Sequence, residues 1–217
     1  MMLKEIYLSP LGNIISFVQS LIAIVQQPFM VYGFYNKVQK QFMKLTRISS
    51  STKILSRGQL DSEDNVWIGH YSLLDASNGI YIGKGVQTGS FVSIFSHSSH
   101  ISIRLLGDQY LQSNDRIGYI DGKVVIGEYS FIGTSSVIFP GVIIGKGCLI
   151  KAGSIVTKSI PDFSIVTGNP AVVTGSVLDI DERYFHDEVV QKNYFDKAII
   201  EKWINKNKDK DNADTIS

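Results

Sequence analysis

Aliphatic residues recur at every sixth position through the second half of the chain. They are Ile126, Ile132, Ile138, Ile144, Ile150 and Val156. Four positions after each of the first five lies a small or modest side chain, and these are Ser130, Ser136, Val142, Cys148 and Ser154. A period of six fits neither the 3.6-residue period of an amphipathic helix nor a long two-residue alternation. It is typical of short strands joined by tight turns, with one aliphatic side chain per hexad pointing inward.

Three such hexads close one triangular coil, and stacked coils bury a column of aliphatic side chains that no single coil could bury. The same pattern occurs earlier in the chain but is less regular. Its members are Ile68, Leu74, Ile82, Thr88 and Ile94, with a two-residue slip before Ile82, and Ile54 and Leu60 are candidates for the first coil. The fold predicted is mainly β, a parallel β-helix solenoid of hexapeptide repeats.

Between Ile94 and Ile126 the spacing is not a multiple of six, and the middle of this stretch lacks the repeat. Residues 96–122 are therefore predicted to form a loop ejected from the solenoid. Loops of this length in a compact domain are usually functional or disordered. This one begins with SHSSH, which contains His97 and His100, and that favours a functional loop.

The segments on either side of the repeats lack the six-residue period. The prediction is an N-terminal helical extension over 1–52, the solenoid domain over 53–175, a C-terminal helical cap over 176–205 and a disordered tail over 206–217. The cap is expected because the open end of a repeat array must be covered. The tail is charged and almost without apolar residues.

The most apolar stretch, residues 14–35, is interrupted by polar residues and by Pro28, so it contains no run long enough to span a membrane. Two interpretations stay open. The segment is either a helix packed on its own protein or on a neighbouring subunit, or a helix that makes peripheral contact with a membrane surface. The second is suggested by the basic residues that follow closely, which are Lys37, Lys40, Lys44 and Arg47.

Charge and cysteine content exclude several classes of protein. The 217 residues include 21 basic and 20 acidic side chains, and so near-neutral a balance argues against a general nucleic-acid binder. The single cysteine, Cys148, excludes an intramolecular disulfide framework and a zinc site of the two-cysteine type. The composition is ordinary for a cytoplasmic protein.

Three segments carry a resemblance to a known family: VWIGHYSLLDASNGIYIGKGV, SHSSH and VVIGEYSFIGTSSVIFPGVIIGKGCLIKAGSIVTKSIPDFSIVTGNPA. Over about residues 65–173 the chain resembles the left-handed parallel β-helix acyltransferases, and most of all the bacterial O-acetyltransferases that modify surface polysaccharides. The resemblance implies a homotrimer, acetyl-CoA as donor, active sites between neighbouring subunits, and no metal.

Acetyl transfer to a hydroxyl needs a general base, and histidine suits that role at neutral pH. Of the four histidines, His97 matches the position of the family's catalytic histidine, whereas His100 is an alternative base or a residue that binds acceptor. His70 is expected to be structural or exposed, and His186 solvated. Asp75 matches an acidic position near the family's active site. It either orients a histidine or binds the acceptor, or it only satisfies backbone amides in a turn.

The resemblance also implies the residues that bind coenzyme A: Phe131, Gly133, Thr134, Ala152, Gly153, Thr157 and Lys158. The leading functional hypothesis is an O-acetyltransferase acting on a sugar hydroxyl of a surface polysaccharide or its precursor. An N-acetyltransferase acting on a nucleotide-linked amino sugar stays open. So do two hypotheses of other classes, a zinc β-helix similar to the γ-class carbonic anhydrases and a non-catalytic scaffold.

Overall fold

The computed structural model describes residues 8–214, with side chains over residues 8–207. Its helices are α1 (Pro10–Val25), α2 (Ser102–Leu106), α3 (Leu178–Asp181), α4 (Glu188–Asn193) and α5 (Lys197–Asp214), with 3₁₀ turns at Arg57–Gln59, Gly107–Gln109 and Glu182–Tyr184. Its strands are β1 (Met30–Asn36), β2 (Gln41–Ser49), β3 (Lys53–Leu55), β4 (Leu60–Ser62), β5 (Trp67–Ile68), β6 (Leu73–Asp75), β7 (Ile80–Ile82), β8 (Gln87–Thr88), β9 (Ser93–Phe95), β10 (His97–Ser98), β11 (Ile120–Asp121), β12 (Val124–Ile126), β13 (Phe131–Ile132), β14 (Val137–Ile138), β15 (Ile143–Ile144), β16 (Leu149–Ile150), β17 (Ile155–Val156), β18 (Ser164–Gly168) and β19 (Ala171–Ser176).

These strands wind into a parallel β-solenoid of about six turns, which confirms the predicted fold class. Its first face has the strand order β1-β2-β5-β8-β13-β16-β18-β19, its second face β17-β14-β9-β6-β3, and its third face β15-β12-β7-β4. Pairing between turns is parallel throughout, and only the end pairs β1–β2 and β18–β19 of the first face are antiparallel. The hydrogen bonds that hold each turn therefore come from the turns above and below it.

The six-residue repeat determines which side chains lie inside the solenoid. All six aliphatic positions from Ile126 to Val156 are 0% exposed, and the small residues four positions later are buried at the corners. At one corner Ser130 Oγ donates to the carbonyl oxygen of Gly145 at 2.8 Å and accepts from the backbone amide of Cys148 at 3.0 Å. A small hydroxyl fits here because it fills the corner and satisfies backbone groups that the turn leaves unpaired.

The irregularity before Ile82 has a structural cause. In β7 both Ile80 and Ile82 point inward and are buried. They stack on Leu60 and Ser62 of the preceding turn, and on Val124 and Ile126 of the next. The ladder registers align Leu74 with Ile138 and Ile80 with Val142, so the two extra residues lie in the corner between β6 and β7 and the buried column does not move.

The expectation of a helical extension over residues 1–52 was wrong beyond Val25. Only Pro10–Val25 is helical, and residues 1–7 lie outside the described part of the chain. Residues 30–49 form a β-hairpin whose second strand joins the first turn, with Ile48 paired to Ile68. Pro28 disfavours helix at the residue before it, and the β-branched and aromatic residues that follow favour strand. No helix in the described range 8–214 is long and apolar enough to cross a membrane.

Helices α3 to α5 cover the last turns of the solenoid, where a cap was expected. Phe163, Leu178 and Ile200 form their buried cluster, and Phe195 lies 4.7 Å from Tyr129 between ring centroids. Lys146 Nζ donates to Asp196 Oδ2 at 2.6 Å and ties the cap to the fourth turn. Helix α5 continues to Asp214, past the expected end of the cap at residue 205, and residues 215–217 lie outside the described chain.

Two neighbouring residues of β15 give a matched test of the buried column. Ile144 is 0% exposed and Ile143 is 53% exposed. We expect Ile144→Ala to reduce the free energy of unfolding by about 2–5 kcal/mol, because it removes buried methyl groups and leaves a cavity. Ile143→Ala should change it by less than about 0.5 kcal/mol. Urea denaturation followed by circular dichroism measures both, and equal losses would contradict the assigned inward face.

The ion pair at the cap gives a stability effect that depends on pH. The hydrogen bond from Lys146 lowers the pKa of Asp196. A depressed carboxylate pKa stabilises the fold above the unfolded-state value near 3.9, and this contribution is lost as pH falls through the folded pKa. Asp196→Asn keeps an oxygen for the amide of Ile199 but removes the charge. We expect it to cost less than about 1 kcal/mol at pH 7, with the difference from the wild type vanishing in acid. Thermal denaturation across pH, with the exposed Asp179→Asn as control, tests this; a cost that persists in acid would contradict it.

Candidate active site

The ejected loop leaves the solenoid at the corner between the second and third faces. Ser96 follows β9, is 0% exposed, and donates through Oγ to the carbonyl oxygen of Asp75 at 2.7 Å. The same hydroxyl accepts from the backbone amide of Asn78 at 2.8 Å. The residue that begins the loop is therefore fixed to the turn before it, and the next residue, His97, starts from a rigid position.

The two ends of the loop meet at this corner. His97 pairs with Asp121 across the short antiparallel ladder of β10 and β11, and the amide of Gly122 donates to the carbonyl oxygen of Ser96 at 3.0 Å. A Cβ atom on Gly122 would lie 2.8 Å from the Cα of Gly141 in the next turn. Glycine is needed at 122 because the returning chain lies directly against that backbone.

His97 faces Asp75 across the corner. The distance from His97 Nδ1 to Asp75 Oδ2 is 3.4 Å, and Nδ1 is buried without a hydrogen-bond partner. Asp75 is 6% exposed, and its other carboxylate oxygen accepts from the backbone amide and the hydroxyl of Ser77, at 3.1 and 2.6 Å. Ser77 thus fixes the carboxylate so that one oxygen is directed at the imidazole. Asp75 thus accepts hydrogen bonds in a turn and also faces a histidine.

Tyr119, near the end of the loop, packs against the flat face of the His97 imidazole. Tyr119 stacks on His97 with ring centroids 5.7 Å apart and an interplanar angle of 16°. The guanidinium of Arg116 lies over the Tyr119 ring at 5.3 Å and over Tyr110 at 5.6 Å. Sequence reasoning missed these loop residues because the loop has no repeat from which a contact could be inferred.

A cavity of about 350 Å³ opens beside this pair. Its walls are Asp75, Phe95, His97, Ser98, Ser99, Phe139 and Pro140. It combines apolar rings with hydroxyl groups and one histidine–carboxylate pair, so it suits a small polar substrate from which a proton is removed. No cluster of three or more metal-ligating side chains occurs within the described residues.

The other histidines lie elsewhere. His100 is exposed, and its Nδ1 lies 2.7 Å from Ser98 Oγ at the edge of the loop rather than in the cavity wall. His70 Nδ1 lies 2.6 Å from the hydroxyl of the buried Ser49, an arrangement that serves structure. His186 is exposed on the cap. Of the four, only His97 combines a buried carboxylate neighbour with a cavity.

Cys148 has no part in this site. Its side chain is 2% exposed at a corner of the solenoid, with Sγ 3.0 Å from the carbonyl oxygen of Pro161. Burial raises the pKa of the thiol. A buried, protonated thiol is a packing group and a poor nucleophile.

The residues expected to bind coenzyme A fall into two groups within one chain. Thr157 and Lys158 follow β17, which pairs beneath β14, so they lie one turn from Phe139 and Pro140 at the His97 corner. Both side chains are exposed.

The second group lies on the first face and at the corner between the first and second faces. Phe131 pairs with Leu149, and the amide of Gly153 donates to the carbonyl oxygen of Thr134 at 2.9 Å. Gly133 lies against Ala152, where an added Cβ would come within 2.4 Å of its nitrogen. Within one subunit this group is at a different corner from His97, so the fold does not bring all of the expected residues together.

Comparison with known proteins agrees with this architecture. A family model described as the hexapeptide repeat of succinyl-transferase matches residues 123–158. A crystal structure of a hexapeptide-repeat-containing acetyltransferase from Vibrio cholerae O1 biovar eltor, complexed with acetyl coenzyme A, aligns with a TM-score of 0.50 and 22% identity, over 58% of this chain and 64% of that one.

Named relatives in sequence are acetyltransferases. Galactoside O-acetyltransferase of Lactococcus lactis is 34% identical over 119 residues, which cover 54% of this chain and 53% of that protein. Serine acetyltransferase 4 of Arabidopsis thaliana is 27% identical over 169 residues, which cover 78% of this chain and 44% of that protein. The chain thus spans about half the length of these curated relatives. The chain contains hexapeptide repeats and is similar in fold and sequence to acetyltransferases.

Proposed function

We propose that this protein is an acetyl-CoA-dependent O-acetyltransferase that modifies a sugar hydroxyl, with His97 as general base. The observation that carries the proposal is the His97–Asp75 pair at the wall of a cavity of about 350 Å³. The similarity to named acetyltransferases supports the reaction class.

The geometry around His97 supports a separate proposed role for each of its ring nitrogens. Nδ1 is buried and faces the Asp75 carboxylate at 3.4 Å, and catalytic hydrogen bonds in unliganded sites are commonly long and shorten in the complex. Asp75 therefore favours the tautomer with the proton on Nδ1, which leaves Nε2 as the acceptor. Tyr119 and Ser77 hold the ring and the carboxylate in that relation.

In the proposed reaction, the unprotonated Nε2 of His97 is the base. Bound acetyl-CoA supplies an activated acyl thioester. As the acceptor oxygen forms its bond to the acyl carbon, His97 Nε2 takes the hydroxyl proton, and Asp75 stabilises the imidazolium. His97 then returns this proton to the departing sulfur, which balances the charge and regenerates the base. The side chains present need no covalent intermediate.

The cavity favours a sugar as acceptor. Phe95 and Phe139 provide apolar walls, and Ser98 and Ser99 provide groups that donate and accept hydrogen bonds. This combination matches a ring with one apolar face and a hydroxylated edge. The relative from Lactococcus lactis is named for galactoside O-acetylation. We propose as acceptor a unit of a bacterial surface polysaccharide or its precursor.

The donor site is proposed to lie between subunits of a cytoplasmic homotrimer. The two groups of expected coenzyme A residues lie at different corners of one chain, and a neighbouring subunit would supply the missing group to each site. The exposed backbone at Ala152 and Gly153, where a Cβ on Gly153 would meet nothing within 4 Å, leaves space for a pantetheine arm. Lys158 is an exposed cation suited to a phosphate group.

Replacing His97 tests the assignment of the base. We expect His97→Ala to lower kcat by about 100-fold or more, since general-base catalysis contributes on that scale, while acetyl-CoA binding by calorimetry is unchanged. His100→Ala, in the same loop, serves as the matched control and should have a milder effect. Activity is measured as thiol release from acetyl-CoA across a panel of galactosides, oligosaccharides and amino sugars.

Three results would contradict parts of this proposal. Full activity of His97→Ala, or a larger loss in His100→Ala, would overturn the choice of base. Transfer to amino groups only would favour the N-acetyltransferase alternative. Failure of the wild type to bind acetyl-CoA at millimolar concentration would overturn the donor.

Asp75 is proposed as a positioning residue, so its test needs a readout beyond rate. We expect Asp75→Asn to lower kcat by about 100-fold or more with little change in KM for acetyl-CoA, because the neutral imidazole loses its preferred tautomer. The ¹⁵N shifts of the His97 ring should show that loss directly. Asp108→Asn, exposed in the same loop, is the control. An unchanged tautomer would assign Asp75 to acceptor binding instead.

A further inference from the structure

Helix α1 lies on the surface with its apolar side chains uncovered. The helix contains no charged residue, and within it only Gly12 is buried. Its exposed apolar side chains are Leu11, Ile14, Phe17, Val18, Leu21, Ile22, Ile24 and Val25. Phe17 and Val25 are 64% and 85% exposed. Exposed single apolar residues are ordinary, but a contiguous set of this size marks a surface that contacts something else.

These side chains occupy one side of the helix. At 100° per residue they fall within a little less than half of the circumference, and the opposite side carries Asn13, Ser16, Gln19, Ser20 and Ala23. The helix is therefore amphipathic, with an apolar face and an uncharged polar face.

The hairpin that follows α1 in the chain also exposes apolar side chains. Its inner residues Phe34 and Met43 are buried against the solenoid, whereas Tyr35 and Phe42, paired across the strands, are about half exposed. Further exposed apolar side chains of the hairpin and its approach are Phe29, Val31, Tyr32, Val38 and Leu45. Tyrosines at such a surface combine an apolar body with a polar tip, as the boundary between water and lipid requires.

Charge is segregated onto the same part of the chain. Residues 8–60 contain six basic side chains and no acidic one, while the rest of the chain has 15 basic and 20 acidic residues. Five of the six are exposed, namely Lys37, Lys40, Lys44, Lys53 and Arg57. The sixth, Arg47, lies over the ring of Trp67 at 4.8 Å. A near-neutral protein thus presents a strongly cationic N-terminal unit.

We propose that α1 and the β1–β2 hairpin dock on an anionic lipid surface, with α1 lying in the plane of the interface. The apolar face supplies burial and the exposed lysines supply attraction to anionic headgroups. A second copy applied to the same surface would bring like charges together, which disfavours a symmetric contact through it. A nucleic acid would leave the uncharged apolar helix uncovered. The proposal does not depend on the enzymatic activity.

The test uses the full chain and vesicle flotation. Vesicles contain phosphatidylcholine alone, or phosphatidylcholine with a fraction of phosphatidylglycerol. We expect binding to the anionic vesicles that weakens with salt. The triple variant Lys37→Gln, Lys40→Gln, Lys44→Gln should lower the partition coefficient by about 100-fold at low salt, at about fivefold per lysine. A matched triple on the cap, Lys192→Gln, Lys197→Gln, Lys202→Gln, should leave it unchanged.

The apolar face is tested separately. Phe17→Ser with Leu21→Ser should abolish binding at every salt concentration, while Val189→Ser, exposed on the cap, should not. Three outcomes would overturn the proposal: equal loss in the two lysine triples, no binding of the wild type to anionic vesicles, or an assembly of the lipid-free protein that the Phe17→Ser, Leu21→Ser variant dissociates. The last would assign the face to a second copy. None of these readouts involves acetyl transfer, so failure here leaves the proposed function untouched.

Discussion

The stacking of one coil on the next is the interaction on which the rest of this molecule depends. Each turn contributes only two or three residues to a face, far too few for an independent strand, so its backbone hydrogen bonds and its aliphatic side chains are satisfied only by the turns above and below. Ile138 is buried because Ile94 and Val156 lie on either side of it. Such an array is stabilised by nearest-neighbour contacts, and its two ends must be covered. The hairpin does this at one end and the α3–α5 cap at the other.

The same stacking gives the candidate site its rigidity. Asp75 is the last residue of β6 and Phe95 the last of β9, which pairs with β6 in register, so carboxylate and histidine are carried by adjacent turns. The loop adds the flat face of Tyr119 and closes the cavity with Ser98 and Ser99. A scaffold with fixed spacing between turns thus presents residues far apart in sequence at a separation set by the parallel ladder.

The periodic part of the sequence predicted the periodic part of the structure. The aliphatic column, the small corner residues and the limits of the ejected loop follow from spacing alone, because one repeat unit predicts the next. The hairpin at residues 30–49 could not be predicted in this way, because its pairing with the first turn depends on tertiary contacts that composition does not specify. His97 and Asp75 were identified through a resemblance, and their contact is a result of the fold. Tyr119 and Arg116 could not be predicted, because contacts made by an irregular loop depend on where it returns.

The neighbouring positions of Ser96 and Gly122 have an evolutionary consequence. Because the chain leaves and re-enters the solenoid at hydrogen-bonded residues, the intervening segment can lengthen, shorten or be exchanged while the register of every coil stays the same. The entropic cost of closing such an excursion grows only slowly with its length. The part of this insert beyond His97 could therefore be replaced while His97 and Asp75 stay in place at its base. In the proposed enzyme, the histidine–carboxylate pair and the rest of the insert could in this sense be inherited as separate parts of one chain.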